Sequence, residues 1–182
     1  MLRCRPQQMQ MNCDSTKFSI IDINGILSFY DMTVSKKENG AGQGTHLDHE
    51  RKEVWSLVWS TDNPSLCALM EKNRLFVLRD FEPEEPVLSA GYLCDFTDLE
   101  VKAVLLDDVL KDPEEIKNIK DMFVEYEAKT LRETRDLLTT VSLKEAVEFV
   151  EKNPQKRLWE LISETALDKL NLQVAERAFV KN

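Results

Sequence analysis

Residues 15–31 read STKFSIIDINGILSFYD, and residues 64–80 read PSLCALMEKNRLFVLRD. The two passages match at a spacing of 49 positions, the distance from Asp31 to Asp80. Each contains a short apolar strand, a tight turn at an asparagine, a second apolar strand and a closing aspartate. A repeat of about this period and content is typical of β-propeller blades.

The turn in the first passage is Asn24-Gly25, which lies between two apolar runs. This pair predicts a two-residue hairpin turn in which both residues have positive φ. The equivalent turn in the second passage is placed at Asn73. Residues 33–50 are polar and carry three glycines, so they are predicted to form a surface loop or flexible insert.

The strands after this insert indicate a sheet that is covered on both faces. Residues 66–70 and 75–78 are nearly unbroken apolar runs, which neighbouring propeller blades would bury. The layout of a WD repeat is present but its naming dipeptide is degenerate, as Tyr30-Asp31 and Arg79-Asp80. An unrelated antiparallel sandwich is the alternative. Further strands are predicted at residues 87–89, 92–96, 101–106 and 123–128, with a charged connection at 111–120.

From about Thr130 the apolar residues follow a helical period. Ser142 and Glu145 form a capping box in front of an apolar run, which predicts a helix start. Asn153-Pro154 is predicted to end that helix and to begin the next, with Asn153 as N-cap. Asn171 is predicted to take the left-handed turn before a last helix. An apolar stripe is predicted for the middle helix at Leu158, Trp159, Leu161, Ile162, Leu167 and Leu170.

The spacing within these helices is similar to the tetratricopeptide pattern, W-x₂-L-G-x₂-Y followed by A-x₃-F. The residues at those positions are Trp159, Ile162, Ser163 and Ala166, followed by Ala175 and Phe179. Small residues would let two helices approach closely, and the two aromatic side chains would fill the space between repeats. A generic helical hairpin is the alternative.

These patterns predict an α+β chain with two parts. Residues 1–128 are predicted to form a partial WD40-type β-propeller, including the flexible insert at 33–50. Residues 129–182 are predicted to begin an α-helical, tetratricopeptide-like solenoid. A blade needs roughly 40–45 residues and a closed ring about four to eight blades, so the chain is too short to close a ring alone. It is best interpreted as a junction between the last blades of a propeller and the first helices of a solenoid.

Composition excludes several classes of function. The 182 residues carry a net charge of −9, which disfavours binding to nucleic acid or to an anionic membrane surface. No apolar run approaches the roughly 20 residues of a membrane span, and the N-terminus has no secretory leader pattern. Four cysteines form no C-x-x-C pair. Cys67 and Cys94 lie in apolar runs, where they are expected to act as small hydrophobic residues in a reducing compartment.

No catalytic, cofactor-binding or metal site is predicted, so the chain is not expected to be an enzyme. Gly40, Gly42 and Gly44 have the glycine content of a phosphate loop, but no apolar strand precedes them and no Lys-Ser/Thr follows. His46 and His49 lie in the same polar segment with no cysteine nearby, which is a weak basis for a metal site.

Several long strings resemble one family, the WD-repeat subunits of intraflagellar transport complex A. The strings are residues 53–66, 70–74, 78–86, 91–100 and 153–161, together with residues 3–6 and 12–16 near the N-terminus. The resemblance extends over nearly the whole chain, except residues 33–50 and 112–121. It locates the chain at the end of a second propeller and the start of a tetratricopeptide-like solenoid.

The resemblance implies a non-catalytic scaffold in retrograde ciliary transport, cilium assembly and protein localisation to the cilium. The implied partners are other WD-repeat and tetratricopeptide subunits and ciliary cargo adaptors. The implied location is the cytoplasmic side of the cilium, at the ciliary base and axoneme. A coatomer-like vesicle coat subunit, which shares this architecture, and a generic WD-repeat adaptor are the alternatives.

Overall fold

The computed structural model of the chain describes residues 4–33, 44–111 and 122–181. The chain divides into two compact units, Met1–Tyr126 and Glu127–Asn182. Antiparallel strands build the first unit, and helices build most of the second. This confirms the predicted α+β order of a strand-rich domain followed by a helical segment.

The first sheet has the order β1-β2-β3-β4, and each neighbouring pair is antiparallel. Its strands are β1 (Pro6–Met11), β2 (Lys17–Asp22), β3 (Leu27–Asp31) and β4 (Thr45–Arg51). We call this sheet the first blade. The prediction of a loop over residues 33–50 is wrong at β4, and residues 34–43 of that insert lie outside the described residues. β4 is a strand because its backbone pairs with β3, while most of its polar side chains face solvent.

The second sheet is the second blade, and it has the same meander. Its strands are β5 (Val54–Trp59), β6 (Leu66–Glu71) and β7 (Arg74–Arg79), followed by β8 (Glu82–Pro83) and β9 (Val87–Leu88), which both pair with β7. Every residue from Leu66 to Met70 is buried. The prediction that this strand is covered on both faces is confirmed.

The third sheet, the third blade, has the order β10-β11-β12 among the described residues. Its strands are β10 (Tyr92–Thr97), β11 (Glu100–Val104) and β12 (Phe123–Glu127). The strand predicted at residues 101–106 ends early, because Leu106 begins the short helix α1 (Leu106–Lys111). Residues 112–120 of the charged connection predicted at 111–120 lie outside the part of the chain that the structure describes.

The two matching passages form equivalent hairpins, β2–β3 and β6–β7, but their loops differ by one residue. Ile21 pairs with Leu27 across five residues, whereas Met70 pairs with Leu75 across four. The spacing is therefore 49 in the first strand of each hairpin and 48 in the second. As a result Asp31 corresponds to Arg79, and the sequence match of Asp31 with Asp80 is wrong by one position.

The loop of the first hairpin also corrects the predicted turn. Within this loop the positive φ is at Gly25, at 74°, and not at Asn24. The Asp22 carboxylate organises the loop, since it accepts hydrogen bonds from the backbone N–H groups of Asn24 and Ile26, each at 2.8 Å. In the second hairpin the positive φ is at Lys72, at 53°, rather than at Asn73.

The helical unit begins with α2 (Lys129–Asp136) and continues as a π-helical turn (Leu137–Val141). It then forms α3 (Leu143–Lys152), α4 (Lys156–Asp168) and α5 (Leu172–Lys181). The predicted cap at Ser142 is confirmed, because its hydroxyl oxygen accepts a hydrogen bond from the Glu145 N–H at 3.3 Å. In the predicted apolar stripe, Leu158, Trp159 and Ile162 are buried and Leu161 is half-buried. Leu167 is exposed, and Leu170 lies beyond the end of α4 and is exposed as well.

One predicted helix start and one predicted left-handed turn are wrong. Asn153 closes α3 as predicted, since its side-chain amide donates to the Phe149 carbonyl at 3.2 Å, but it is not the N-cap of the next helix, because α4 begins only at Lys156. Leu170, with φ 55°, takes the left-handed turn that was predicted for Asn171. Asn171 instead accepts a hydrogen bond from the Val174 N–H at 3.3 Å, as the N-cap of α5.

Candidate interaction surfaces

The contact between the first and second blades, which we call the blade seam, is an apolar core between two sheet faces. Ile21, Leu27 and Phe29 of the first blade pack into it and are at most 2% exposed. The second blade contributes Val54, Leu57, Trp59, Cys67, Leu69 and Leu78, and the half-buried Leu47, Phe76 and Phe81 pack against the cluster. Propeller blades stack in this face-to-face manner.

A buried hydrogen-bond chain crosses the blade seam. The indole N–H of Trp59 donates to the Ser19 hydroxyl oxygen at 2.9 Å, and that hydroxyl donates to the Gln10 carbonyl at 3.1 Å. The ring of Trp59 meets Phe29 edge to face at a centroid distance of 5.9 Å. The indole N–H and the Ser19 hydroxyl both have hydrogen-bond partners, so the buried indole is held in one orientation without an unsatisfied donor.

A partly buried ion pair lies at the outer edge of the blade seam. Nη2 of Arg51, at the end of β4, lies 2.7 Å from the Glu71 carboxylate, and Nε of the same guanidinium lies 3.0 Å from the same oxygen. The guanidinium also stacks 4.4 Å from the centroid of Phe76. The polar sequence of β4 gave no reason to expect these contacts.

The hairpin turn at Asp80 and Phe81 brings a second set of contacts to the seam. Both residues have positive φ, at 48° and 72°, although neither is glycine. The ring of Phe81 lies 4.8 Å from Phe29 and 4.9 Å from His49, and the Lys17 ammonium lies 4.8 Å above it. With this backbone the turn places an aromatic ring between the two blades, and the contacts of the ring help to hold the two residues at positive φ.

Hydrogen bonds that use backbone N–H groups join the second and third blades, beside an edge-to-face contact of Trp55 with Tyr92 at 4.9 Å. The Thr61 N–H donates to the Phe96 carbonyl at 2.9 Å, and the Asp98 N–H donates to the Asp62 carboxylate at 3.0 Å. Leu99, in the turn between β10 and β11, has φ 65° and is fully buried. Like Phe81, it is an apolar residue at positive φ whose side chain packs into the protein.

The helical unit packs through small side chains. Ser163 and Ala166 of α4 and Ala175 and Ala178 of α5 are all at most 3% exposed, which fits the close approach predicted for a tetratricopeptide-like pair. Phe179 was predicted to fill the space between repeats, but it is 55% exposed here, and Ala178 occupies the buried position. The helical repeat class stays a prediction.

The residues weighed for catalysis or metal binding have packing roles where they are described. The ring of His46 meets Tyr30 at 5.1 Å, and the ring of His49 stacks on Phe81. Within residues 4–33, 44–111 and 122–181, no group of three potential metal ligands occurs. Gly40 and Gly42 lie outside those ranges. Within the same ranges, the helices are too short or too polar to cross a membrane.

The cysteines are free thiols in different settings. Cys67 is fully buried in the blade seam, and burial raises the pKa of its thiol to about 12, as expected for an apolar core residue. The same expectation is wrong for Cys94, which is exposed on β10. Its Sγ lies 3.4 Å from the Tyr92 carbonyl oxygen.

Comparison with known proteins agrees with this architecture. Residues 1–127 match the family described as WDR35 second beta-propeller. The chain belongs to the WD repeat-containing protein 35 family. It is 46% identical, over 182 residues, to WD repeat-containing protein 35 of Mus musculus and 46% identical to that of Homo sapiens. The Rattus norvegicus protein is 45% identical. Family membership confirms propeller-type blades over the alternative of an unrelated sandwich.

The chain matches a small part of these relatives. In each alignment 99% of this chain corresponds to 15% of the relative's length. Among solved structures, Kluyvelomyces marxianus Hsv2 is 8% identical with a TM-score of 0.33, covering 55% of this chain and 32% of that one. The family assignment therefore depends on sequence identity along the whole chain.

Proposed function

We propose that this chain is part of a non-catalytic scaffold subunit of intraflagellar transport complex A. Its role is in retrograde ciliary transport, in cilium assembly and in bringing proteins to the cilium. The observation that carries the proposal is family membership: long strings that resemble this complex's WD-repeat subunits lie in a chain 45–46% identical to WD repeat-containing protein 35. Because the chain spans 15% of those relatives, the activity of the whole protein is part of the proposal.

The packing of the molecule is consistent with a scaffold. Its largest side chains, such as Phe29, Trp59 and Trp159, are used to join sheets or helices. The polar groups described above are likewise used in seams and caps. Such a molecule would bind through faces and edges, and its partners would be other WD-repeat and tetratricopeptide subunits and ciliary cargo adaptors.

The test is to tag the polypeptide that contains these residues at its own locus in a ciliated cell. We expect the tagged protein at the ciliary base and along the axoneme, on the cytoplasmic side. We also expect it to co-purify with a stable set of WD-repeat and helical-repeat subunits. Its loss should shorten cilia and cause transported proteins to accumulate at the tip.

A Golgi location with coat subunits would instead support the vesicle-coat alternative. Recovery with a ubiquitin-ligase core and no ciliary signal would support the adaptor alternative. Either result would reject the proposed function.

A further inference from the structure

The loop between β2 and β3 contains an Asn-Gly pair, Asn24–Gly25. Asparagine is chemically labile, because the backbone nitrogen of the next residue can attack its side-chain amide and expel ammonia. Glycine at the next position favours this attack, since it has no Cβ to obstruct the approach. Asn24 is exposed and Gly25 is half-buried, so water reaches the site. The loop therefore places a reactive dipeptide at one end of the first blade.

The folded loop engages both reacting groups in hydrogen bonds. The Gly25 N–H, whose nitrogen is the nucleophile, donates to the Asp22 backbone carbonyl at 3.0 Å. The Asn24 side-chain amide donates from Nδ2 to the Asp22 carboxylate at 3.2 Å. Asp22 is 7% exposed, and its negative charge disfavours the negative charge that develops on the amide oxygen during the attack. The backbone and the side chain of Asp22 therefore both oppose the reaction.

Gly25 is also held by the second blade. Its carbonyl oxygen accepts a hydrogen bond from the Val54 N–H at 3.0 Å, and Val54 is 1% exposed. A Cβ added to Gly25 would lie 3.2 Å from the Val54 carbonyl oxygen, so this glycine packs closely on the start of β5. The attack requires rotation of the peptide between Asn24 and Gly25, which would disturb these contacts. The reactive geometry therefore requires local opening of the loop away from the second blade.

We propose that Asn24 is a site of spontaneous modification to aspartate and isoaspartate, and that Asp22 and the docked second blade hold the reaction back in the folded chain. The Gly25 nitrogen gives up its proton to solvent and forms a bond to Cγ of Asn24. The Cγ–Nδ2 bond breaks, and the nitrogen takes up a proton and leaves as ammonia. The succinimide ring that results then takes up a water molecule. Opening at Cγ gives aspartate, opening at the backbone carbonyl carbon gives isoaspartate, and no electron is transferred to or from another reagent.

The modification would act on the contact between the first two blades. Isoaspartate adds a carbon atom to the backbone between residues 24 and 25, which displaces Gly25 from Val54. Either product places a second carboxylate beside that of Asp22, where the like charges repel. The modified loop would therefore hold the start of β5 less well. The inference goes beyond the proposed function and does not depend on it.

The test follows the loss of ammonia from the 182-residue chain at a fixed, mildly alkaline pH, with the chain either folded or unfolded in urea. Peptide mapping by mass spectrometry in heavy-oxygen water identifies each modified asparagine, and fragmentation separates isoaspartate from aspartate. We expect Asn24 to react in urea and to react at least about tenfold more slowly in the folded chain, because only the open loop can react.

The substitution Asp22→Ala tests the protecting role of the carboxylate. It removes the side-chain contacts and keeps the backbone carbonyl. The rate at Asn24 in the folded chain should rise at least about fivefold, since hydrogen bonds to a charged group contribute free energies of this order. In urea the wild type and the variant should react equally, because the loop is absent from both.

The matched control is Asp14→Ala, in the turn between β1 and β2. The Asp14 carboxylate likewise accepts a hydrogen bond from a backbone N–H two residues later, that of Thr16 at 3.0 Å. Its loss should leave the rate at Asn24 unchanged. The identical dipeptide Asn39–Gly40, which lies outside the described residues, is an internal reference whose rate should depend on neither substitution.

Failure of Asn24 to react in urea would overturn the inference, and so would equal rates in the folded and unfolded chain. An unchanged folded-state rate in Asp22→Ala, or an equal acceleration in Asp14→Ala, would overturn it as well. Circular dichroism establishes whether each variant is folded. If Asp22→Ala does not fold, Asp22→Asn takes its place, since it removes only the charge, and a folded-state rate that stays at the wild-type value in Asp22→Asn overturns the inference equally.

Discussion

The strand unit and the helical unit each bury a tryptophan almost completely, but they hold their elements together differently. Trp59 is 4% exposed and Trp159 is 3% exposed. In the strand unit, side-chain hydrogen bonds cross from one sheet to the next, from Trp59 to Ser19 and from Gln8 to the Leu57 carbonyl at 2.8 Å.

In the helical unit, several hydroxyl groups bond back to their own helix. Thr134 donates to the Thr130 carbonyl at 2.8 Å, and Thr165 donates to the Leu161 carbonyl at 2.9 Å. The comparison teaches that the blade seam adds buried side-chain hydrogen bonds to its apolar core. The helices pack through small buried side chains, and their directional contacts lie nearer the surface, as between Lys169 and the Leu138 carbonyl at 2.9 Å. The following substitutions test that contrast.

The two tryptophans should give the largest effects. Either Trp59→Ala or Trp159→Ala should lower the free energy of unfolding by ~3–5 kcal/mol, because each leaves a large cavity. Trp159→Ala in the complete protein should also reduce co-purification with partner subunits.

The substitution Trp59→Phe tests the hydrogen bond between the indole and Ser19 apart from the loss of side-chain volume. Trp59→Phe should cost about 1 kcal/mol more than its loss of volume, because the Ser19 hydroxyl loses its indole donor. Ser19→Ala should remove that difference, and urea unfolding followed by circular dichroism measures each value. Equal coupling of Trp59 to Ser19 and to a distant serine such as Ser163 would contradict the directional account.

Ala178→Leu should be the next largest effect, and it tests the shape account. Ala178 is fully buried on α5, so the added carbon atoms should cost ~1–3 kcal/mol of unfolding free energy through overpacking. Val180→Leu, at a position that is 82% exposed on the same helix, is the control and should change stability by less than about 0.5 kcal/mol. A neutral Ala178→Leu would mean that α5 is not closely packed. Thermal melting of both variants measures the difference.

The Arg51–Glu71 pair should contribute less, since its side chains are 23% and 27% exposed. A double-mutant cycle of Arg51→Ala and Glu71→Ala should give a coupling of about 0.2–1 kcal/mol. Arg51→Ala alone should cost more than Glu71→Ala, because it also removes the guanidinium from the ring of Phe76. Urea unfolding of the two single variants measures the two losses of unfolding free energy. A larger loss in Glu71→Ala than in Arg51→Ala would reject the contribution of stacking on Phe76.

The smallest effect should come from the Asp22 loop, and it should depend on pH. Hydrogen bonds from the Ile26 N–H, and next from Asn24, lower the pKa of the Asp22 carboxyl. A lowered folded-state pKa gives stability that is present above the unfolded value, about 3.9, and is lost as pH falls through the folded value.

Asp22→Asn keeps an oxygen acceptor but cannot titrate, so the stability difference between wild type and this variant should shrink on acidification from about pH 6 to about pH 3. Asp48→Asn is the control, at an exposed aspartate on β4, and urea midpoints at each pH provide the measurement. A difference that is constant over this range would mean that Asp22 does not titrate differently in the folded chain.

Local patterns in the sequence predicted most elements that bury their own apolar residues. The runs at Leu66–Met70 and in the helix around Trp159 have the correct periods, and Ser142 has the residue chemistry of a helix cap. Such signals depend on residues that lie only a few positions apart, so they can be recognised in a single sequence.

Elements that depend on distant partners were missed. β4 has no apolar alternation, because β3 supplies its hydrogen bonds and only Leu47 needs to be covered. Cys94 lies in an apolar run yet is exposed, since the run does not show which face of β10 is covered.

The sequence by itself determined the repeated hairpins, the change from strands to helices and the resemblance to one family, because these depend on residue order alone. The tertiary structure decided the extra residue in the Asp22 loop, the left-handed backbone at Phe81 and Leu170, and the pairing of Trp59 with Ser19. Some of these features are set by contacts between segments far apart in the chain, and others by which of two neighbouring turn residues takes the left-handed backbone. The period of apolar residues along the sequence carries no information on either cause.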